Sequence, residues 1–231
     1  MKNKIVIFGT GEYAELAHYY FTNDSEYEVV AFTADDEYVN SKTFRNLPLI
    51  PFSEILNTYP PNKYSAHVSL SYRKLNKIRE EKYLLMKEVG YNLVSYVCSK
   101  SFTWPDLQIG DNCFILENQT IQPTVKIGNN VMIWSGNHLG HNCSIDDHTY
   151  ISSHVCISGH VKIGKRCFLG VNSTFADFTS IGDDCFIAMD AGVVKNLKDG
   201  SMILSAKSSI FPKDSELNKK VMKSYFKLVN N

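Results

Sequence analysis

An aliphatic or phenylalanine residue recurs at every sixth position between residues 109 and 193, without an insertion or a missed position. A period of six matches neither an α-helix nor a simple alternating strand, but it is typical of short strands wound into a parallel β-helix with three sides per turn. The fifteen positions are Ile109, Ile115, Ile121, Ile127, Ile133, Leu139, Ile145, Ile151, Ile157, Ile163, Leu169, Phe175, Ile181, Ile187 and Val193. The repeat therefore predicts a solenoid of about five coils.

Three hexads make one coil, so residues one coil apart should stack at about 4.8 Å, the spacing of neighbouring strands. The residue two positions before each hexad residue should also point inward, because strand side chains alternate between faces. Cys113, Cys143, Cys167 and Cys185 occupy that inward position. We therefore expect reduced thiols that fill the core rather than disulfides.

The segment before the repeat has the pattern of a small α/β domain. An apolar strand over residues 5–8 leads into Gly9-Thr10-Gly11-Glu12-Tyr13-Ala14, which opens a helical pattern, and a second strand over 29–32 ends near two aspartates. Further elements are predicted as a strand at 66–70, a helix at 72–89 and a strand at 93–97. We assign a Rossmann-like domain to 1–98, the parallel β-helix to 99–198, and a loop with a short helix to 199–231.

The G-x-G-x-x-A turn between strand and helix is typical of nucleotide-binding domains, in which backbone amides at the helix N-terminus face a diphosphate. An acidic residue at the end of the second strand then binds the sugar or the base. The alternative is a tight turn that only packs the helix on the strand. We predict that the following residues bind substrate: Gly9, Gly11, Glu12, Asp35, Asp36 and Arg73.

Charge and the N-terminal residues narrow the class of protein. The 24 basic residues balance the 24 acidic ones, so no nucleic-acid or membrane-surface partner is indicated. The first apolar run breaks at Gly9 and is too short for a signal peptide or a membrane span. These features predict a cytoplasmic protein.

The small domain, the uninterrupted hexads and the Gly140-His141-Asn142 stretch together resemble one family closely. These are the left-handed β-helix acyltransferases of bacterial surface-sugar biosynthesis, including lipopolysaccharide sugars. The family contains sialic acid O-acetyltransferases and N-acetyltransferases that act on nucleotide-linked 4-amino sugars. The resemblance implies a left-handed solenoid, a homotrimer, acetyl-CoA as cosubstrate between neighbouring β-helices, and a nucleotide sugar that reaches in from the N-terminal domain.

The resemblance also implies that His141 is the general base. Gly159 follows one coil later, and we expect it to leave a gap beside the imidazole in which its backbone amide faces the oxyanion. The solenoid histidines His138, His148, His154 and His160 are interpreted as polar surface residues.

Asn142 departs from the family pattern, which commonly has Glu or Asp after the base. An asparagine can hold a histidine tautomer by accepting a ring N–H bond, but it supplies no charge to an imidazolium. We therefore predict His141 and Asn142 as the catalytic residues, with Asp146 or Asp147 as a possible source of the missing charge.

Contacts to acetyl-CoA are expected mainly from the backbone of successive coils. Stacking and family position predict Gly159, Gly170 and Val171 as cofactor-binding residues. Lys207 ends a Leu-Ser-Ala-Lys stretch where related transferases carry G-x-P-A-K, and it is predicted to approach a CoA phosphate. Trp134, at an outward corner, is expected in a subunit interface, and the C-terminal helix is expected to cap the solenoid.

Four functions remain open from the sequence. The leading one is N-acetyl transfer from acetyl-CoA to the amino group of a nucleotide-linked deoxyamino sugar. O-acetyl transfer to a sialic-acid-type sugar would depend more on the missing acid. A zinc hydratase of the carbonic anhydrase type needs histidines two coils apart, but Thr174 and Asp177 stand there, so no metal is predicted. Finally, the first domain could bind NAD while the solenoid only forms the trimer.

Overall fold

The N-terminal domain is a five-stranded sheet between helices. The structure, a computed structural model, describes residues 3–206 and 209–226. The strands lie in the order β3-β4-β2-β1-β5, and all neighbours are parallel except β3 and β4. The elements are β1 (Asn3–Phe8), α1 (Glu12–Asn23), β2 (Tyr27–Ala34), β3 (Thr43–Phe44), β4 (Leu47–Pro51), α2 (Phe52–Thr58), β5 (Ser65–Val68) and α3 (Lys77–Glu88).

Both faces of this sheet are buried, as expected for a parallel sheet between helices. Ile5 and Ile7 of β1 pack in the cluster that contains α1, whereas Val6 and Phe8 pack with α2 and α3. Helix α3 begins later than the predicted residue 72. Lys74, Leu75 and Asn76 have positive φ angles of 50°, 52° and 65°, so a left-handed turn precedes the helix.

The solenoid contains seventeen two-residue strands. Each member of the hexad series is the second residue of one of the strands β7 to β21, so the predicted repeat is confirmed. The strands are β6 (Tyr96–Val97), β7 (Gln108–Ile109), β8 (Phe114–Ile115), β9 (Thr120–Ile121), β10 (Lys126–Ile127), β11 (Met132–Ile133), β12 (His138–Leu139), β13 (Ser144–Ile145), β14 (Tyr150–Ile151), β15 (Cys156–Ile157), β16 (Lys162–Ile163), β17 (Phe168–Leu169), β18 (Thr174–Phe175), β19 (Ser180–Ile181), β20 (Phe186–Ile187), β21 (Gly192–Val193) and β22 (Met202–Ile203).

Three parallel sheets form the faces of a left-handed prism. Face 1 contains β7, β10, β13, β16 and β19; face 2 contains β6, β8, β11, β14, β17, β20 and β22; face 3 contains β9, β12, β15, β18 and β21. Residues eighteen apart pair in register, for example Leu139 with Ile157. The predicted coil geometry is therefore confirmed.

The interior of the prism is largely apolar. The hexad residues and the apolar residues two positions earlier pack in one cluster. Polar residues are buried at five of the positions two before a hexad residue: Gln119, Asn137, Thr149, Ser173 and Thr179. All six cysteines are free, and the four predicted inward ones are buried. Burial raises the pKa of Cys113 and of Cys167 to about 12, so these thiols stay neutral.

The N-terminal domain packs on face 2. Face 2 buries three outward side chains against α1 and its neighbours: Phe114, Met132 and Tyr150. Trp134 packs there too, with its ring 5.9 Å from that of Tyr13. The expectation that Trp134 lies in a subunit interface is therefore wrong: the corner beside face 2 is covered by the same chain.

The last described helix is α4 (Glu216–Phe226). Its residues Leu217, Val221 and Met222 are 40–46% exposed and share a small cleft with Phe211. A cap over the solenoid end stays a prediction. Within the described ranges, none of the helices is long and apolar enough to span a bilayer.

Candidate functional site

A cavity of about 420 Å³ opens at the carboxyl ends of β1, β2 and β5. Its volume is in the usual range for small-molecule sites, and ligands of open α/β sheets bind at this edge. Five of the six predicted substrate-binding residues line it: Gly9, Gly11, Glu12, Asp35 and Arg73.

The backbone of the turn requires a glycine at position 9 but not at position 11. Gly9 has a φ of +136°, and a Cβ built there would lie 2.6 Å from the Ser69 carbonyl oxygen, so only glycine fits. Gly11 precedes α1 with a φ of −101°, and a Cβ there would meet nothing within 4 Å. Nothing in the protein itself requires a glycine at position 11, which leaves room for a ligand close to the backbone.

The side chains of the two adjacent aspartates point in different directions. Asp35 faces the cavity, where its Oδ1 lies 2.9 Å from the Lys82 ammonium group. Asp36 does not line the cavity; its Oδ1 accepts a 3.1 Å hydrogen bond from the Ser53 backbone N–H at the start of α2. That hydrogen bonding lowers the pKa of Asp36. The assignment of Asp36 to the substrate site is corrected accordingly.

Lys82 is a cavity residue that the sequence did not reveal. It lies on α3, far along the chain from Asp35, and its side chain is only 14% exposed. A helical pattern of apolar residues contains no signal that one lysine on its polar face turns back over the sheet. Only the packing of α3 shows it.

His141 lies at the corner between faces 3 and 1, where its side chain is exposed. A Cβ built on Gly159 would lie 2.8 Å from His141 Nε2 and 2.9 Å from Cε1. The imidazole therefore occupies the space that the missing side chain leaves. The predicted gap exists, but the histidine ring itself fills it.

The Gly159 amide has a partner within the solenoid. It donates a 2.9 Å hydrogen bond to Asp177 Oδ1, one coil further on. The expectation that this amide faces an oxyanion is therefore wrong, because its proton is already bound. A Cβ built on Gly159 would also lie 3.2 Å from Asp177 Oδ1, so this carboxylate borders the same space as the imidazole.

Asn142 contacts His141, but through its nitrogen rather than its oxygen. The Asn142 side-chain nitrogen lies 3.0 Å from His141 Nδ1, and its side-chain oxygen accepts a 2.7 Å hydrogen bond from the Thr124 hydroxyl. The His160 ring meets the His141 ring edge to face at 5.0 Å and stacks on Phe178. His141 is thus contacted at Nδ1 and by one neighbouring ring.

The two aspartates considered as replacements for the missing acid are elsewhere. Asp146 and Asp147 follow β13 and lie at the corner between faces 1 and 2. Asp147 Oδ1 accepts the backbone N–H of Asn129 at 2.7 Å. Neither can orient His141, so Asp177 is the carboxylate at this corner.

The other histidines have a conformational explanation. His148, His154 and His160 sit three residues after a hexad residue, where the backbone is left-handed with φ of 63°, 59° and 60°. Asn, Asp and His tolerate that conformation better than most residues. His148 is also buried, and its burial lowers its pKa.

The predicted cofactor residues lie along two edges of face 3. Gly159 is beside His141, whereas Gly170 and Val171 are at the corner between faces 2 and 3. Gly170 has a packing reason, because a Cβ there would lie 2.5 Å from the Met189 backbone nitrogen. Val171 is 43% exposed, and Lys207 lies outside the described residues.

The cavity and His141 lie on different sides of the prism. Tyr13 lines the cavity, and its hydroxyl lies 3.0 Å from that of Tyr150 on face 2. The corner between faces 3 and 1 is the edge opposite face 2. Within one chain, a ligand in the cavity is therefore on the far side of the solenoid from His141.

In the part of the chain that the structure describes, no group of three or more His, Cys, Asp or Glu side chains is arranged to hold a metal ion.

The fold and the repeat define a class of protein. Residues 124–159 match the family described as bacterial transferase hexapeptide (six repeats), and residues 160–194 match the hexapeptide repeat of succinyl-transferase. The chain is thus a left-handed β-helix protein with the hexapeptide repeats of bacterial transferases, attached to an N-terminal α/β domain. No curated protein matches the sequence significantly.

Solved structures share this architecture over most of the chain. Perosamine N-acetyltransferase (PerB) from Caulobacter crescentus, in complex with CoA and GDP-perosamine, is 20% identical with a TM-score of 0.76, covering 87% of this chain and 93% of that one. The acetyltransferase domain of PglB from Neisseria gonorrhoeae FA1090, in complex with acetyl coenzyme A, is 19% identical with a TM-score of 0.77, covering 87% and 96%. WeeI from Acinetobacter baumannii AYE is 16% identical with a TM-score of 0.73, covering 88% and 97%. The fold predicted from the resemblance is therefore confirmed.

Proposed function

We propose that this protein is an acetyl-CoA-dependent N-acetyltransferase that acts on the amino group of a nucleotide-linked deoxyamino sugar, with His141 as general base. The observation that carries the proposal is the position of His141. Its ring is exposed at a coil corner, held over Gly159 and contacted at Nδ1 by Asn142. We place the enzyme in the cytoplasm, in the biosynthesis of lipopolysaccharide or another surface glycan.

The reaction needs one proton acceptor. The sugar amine attacks the thioester carbonyl of acetyl-CoA, and His141 Nε2 accepts the proton that the nitrogen loses. The tetrahedral intermediate then collapses, the C–S bond breaks, and the CoA sulfur leaves with the proton from the imidazolium. General base catalysis of this kind contributes about 10²- to 10⁴-fold, and no acyl-enzyme is formed.

The role of Asn142 is to select the tautomer. A free lone pair at Nε2 requires that the proton sits on Nδ1, so the Asn142 amide must present its oxygen to Nδ1–H. In the structure the Asn142 nitrogen faces Nδ1 and its oxygen accepts from Thr124 Oγ1, so this tautomer requires the amide to be turned by 180°. The Thr124 hydroxyl can then accept from the NH₂ group instead of donating to the oxygen.

The role of Asp177 is to supply charge. Asn142 cannot stabilise an imidazolium electrostatically, but the Gly159 amide fixes the Asp177 carboxylate in the same column of stacked residues. We infer that Asp177, two coils beyond His141, replaces the acid that related enzymes carry directly after the base and acts through its charge rather than by direct contact.

The cavity of the N-terminal domain is the proposed site for the nucleotide. Backbone amides at the start of α1 and the open space over Gly11 fit a diphosphate. Because His141 is on the opposite side of the solenoid, the sugar must meet the base of another copy. A homotrimer, in which face 3 of one chain lines the acetyl-CoA groove, would satisfy this requirement, with Gly159, Gly170, Val171 and Lys207 as proposed cofactor contacts.

The similar structures support this assignment. Perosamine N-acetyltransferase was solved with CoA and GDP-perosamine, and also as variants in which a histidine is replaced by asparagine or alanine. The PglB domain was solved with acetyl coenzyme A.

A thermal-shift panel tests the proposal. Acetyl-CoA and at least one nucleoside diphosphate should each stabilise the full chain, because a ligand at a hundred times its Kd adds about 2.7 kcal/mol. Acetylation of a nucleotide-linked amino sugar, measured as free CoA thiol, should then be detectable. Stabilisation by NAD without any response to acetyl-CoA would contradict the proposal.

A further inference from the structure

The cavity offers two charged groups side by side to a ligand. Asp35 follows β2 and Lys82 lies on α3, and their 2.9 Å ion pair spans the top of β1. Lys82 is also held by Glu81 at 3.0 Å, so its position does not depend on Asp35 alone. The pair presents carboxylate acceptors next to ammonium donors at a fixed separation.

Glu12, Ser69, Ser71 and Arg73 also line the cavity, and four further side chains give it an apolar wall. Phe8 and Ala34 come from the ends of β1 and β2, Leu70 follows β5, and Ile78 lies one turn before Lys82. A slot with apolar walls and a few converging polar groups is the usual form of a site for a flat heterocycle. The diphosphate position over Gly11 and the ion pair both border this one cavity.

The pattern of donors and acceptors on a nucleobase decides which one fits. Guanine has two adjacent N–H donors, N1–H and the 2-amino group, next to the O6 acceptor. A carboxylate accepts both donors, while a neighbouring ammonium group donates to O6. Uracil and thymine have one N–H between two carbonyl oxygens, which a carboxylate repels. Adenine and cytosine place a ring-nitrogen lone pair beside their amino group, which a carboxylate repels as well.

We propose that the nucleotide carried by the substrate is a guanosine diphosphate, whose base is recognised by Asp35 and Lys82. This inference rests on the proposed function, since it names the nucleotide of the sugar substrate. Asp36 takes no part, because its carboxylate binds the backbone at the start of α2.

Titration calorimetry of the full chain with free nucleoside diphosphates tests the inference. GDP should bind about 10- to 100-fold more tightly than UDP or dTDP, the range for hydrogen bonds to a charged group. IDP lacks only the 2-amino group and should bind about tenfold more weakly than GDP. Removing the ribose 2′-hydroxyl, as 2′-deoxy-GDP, should have a smaller effect than either change of base.

The variant Asp35→Asn should change the preference rather than only weaken binding. An amide presents one acceptor and one donor, which matches the N3–H and a carbonyl oxygen of uracil and mismatches guanine. The ratio of GDP to UDP affinity should therefore fall at least about tenfold. Asp36→Asn is the matched control, because an asparagine oxygen can still accept the Ser53 N–H, and it should leave the ratio unchanged.

Three results would overturn the inference. They are UDP or dTDP binding as tightly as GDP, an equal loss of all nucleotides in Asp35→Asn, and a dominant effect of the ribose hydroxyl. If no nucleoside diphosphate binds while acetyl-CoA does, the proposed nucleotide-sugar substrate fails as well. The two failures are thus distinguishable.

Discussion

The solenoid and the N-terminal domain reach stability by different means. In the solenoid, one aliphatic position in six and its mostly apolar inward neighbour build a core by stacking residues one coil apart. The N-terminal domain and its contact with face 2 bury ionisable groups: His67 is fully buried against Val94 O, and Arg79 donates to backbone carbonyls of Asn130 and His148. The first arrangement depends on local repetition, and the second depends on long-range partners.

The comparison teaches where function can be placed. A coil is specified by its inward residues, so its corners are free to carry an exposed histidine, a glycine and an aspartate. In the N-terminal domain the same backbone that completes the sheet also forms the cavity. We therefore expect substitutions of exposed corner side chains such as His141 to change catalysis without changing stability, and several substitutions near the cavity to change both.

The largest effect is expected from His141→Ala. The variant should fold normally, because the side chain is exposed, and should lose at least about 100-fold in kcat. Steady-state kinetics with circular dichroism and sizing measure both. His154→Asn is the matched control, since Asn also tolerates a φ of 59°, and turnover retained in His141→Ala would remove the base from the mechanism.

The next largest effect is expected from acid, which should destabilise the N-terminal domain through its buried His67. Burial lowers the pKa of His67 to about 4, below its ordinary value of 6.5, so the unfolded chain binds a proton between these values and the folded chain does not. The free energy of unfolding is therefore highest above pH 6.5. It falls by about 3 kcal/mol as the pH drops to 4. The lowered pKa of His148 adds a change of the same sign.

Urea unfolding from pH 7 to 4 measures this loss. His67→Gln, which can still donate to Val94 O, should flatten the pH dependence, whereas His154→Asn should not. An unchanged slope in His67→Gln would mean that the acid sensitivity arises elsewhere.

Substitutions of the two glycines in the N-terminal turn should change different properties: stability at Gly9 and substrate binding at Gly11. Gly9→Ala places a Cβ 2.6 Å from Ser69 O at a positive φ and should cost roughly 2 kcal/mol of unfolding free energy. Gly11→Ala meets no protein atom within 4 Å, so it should leave the melting temperature nearly unchanged. If a diphosphate lies there, Gly11→Ala should raise KM for the nucleotide sugar about tenfold and leave that for acetyl-CoA unchanged. Equal KM values in Gly11→Ala and the parent would place the ligand elsewhere.

The smallest effect is expected from Asp177→Asn. The carboxamide oxygen can keep the bond to the Gly159 amide but loses the charge, so kcat should fall about two- to fivefold, as for an exposed ion pair. Asp183→Asn makes the same backbone bond, to Lys165, at a different corner and should leave kcat unchanged. An equal fall of kcat in both variants would indicate a structural role.

Sequence reasoning was most successful where the pattern is local. The hexads, the inward cysteines and the contact of Asn142 with His141 all follow from spacings of one, two or six residues. It failed where a group has a competing partner. Asp36 is taken by the start of α2, the Gly159 amide is taken by Asp177, and Trp134 is covered by its own N-terminal domain. None of these partners is near in sequence.

The sequence by itself determined the coil, because a strand of two residues that stacks on its own copy needs only the side-chain period to specify which residues are buried. It also determined that His141 and Gly159 meet, since residues one coil apart lie above each other. Only the tertiary structure decided that Lys82 reaches Asp35 and that the cavity lies across the prism from His141. These depend on how a helix and a sheet settle on one face of the solenoid, and that docking is set by contacts that no repeat encodes.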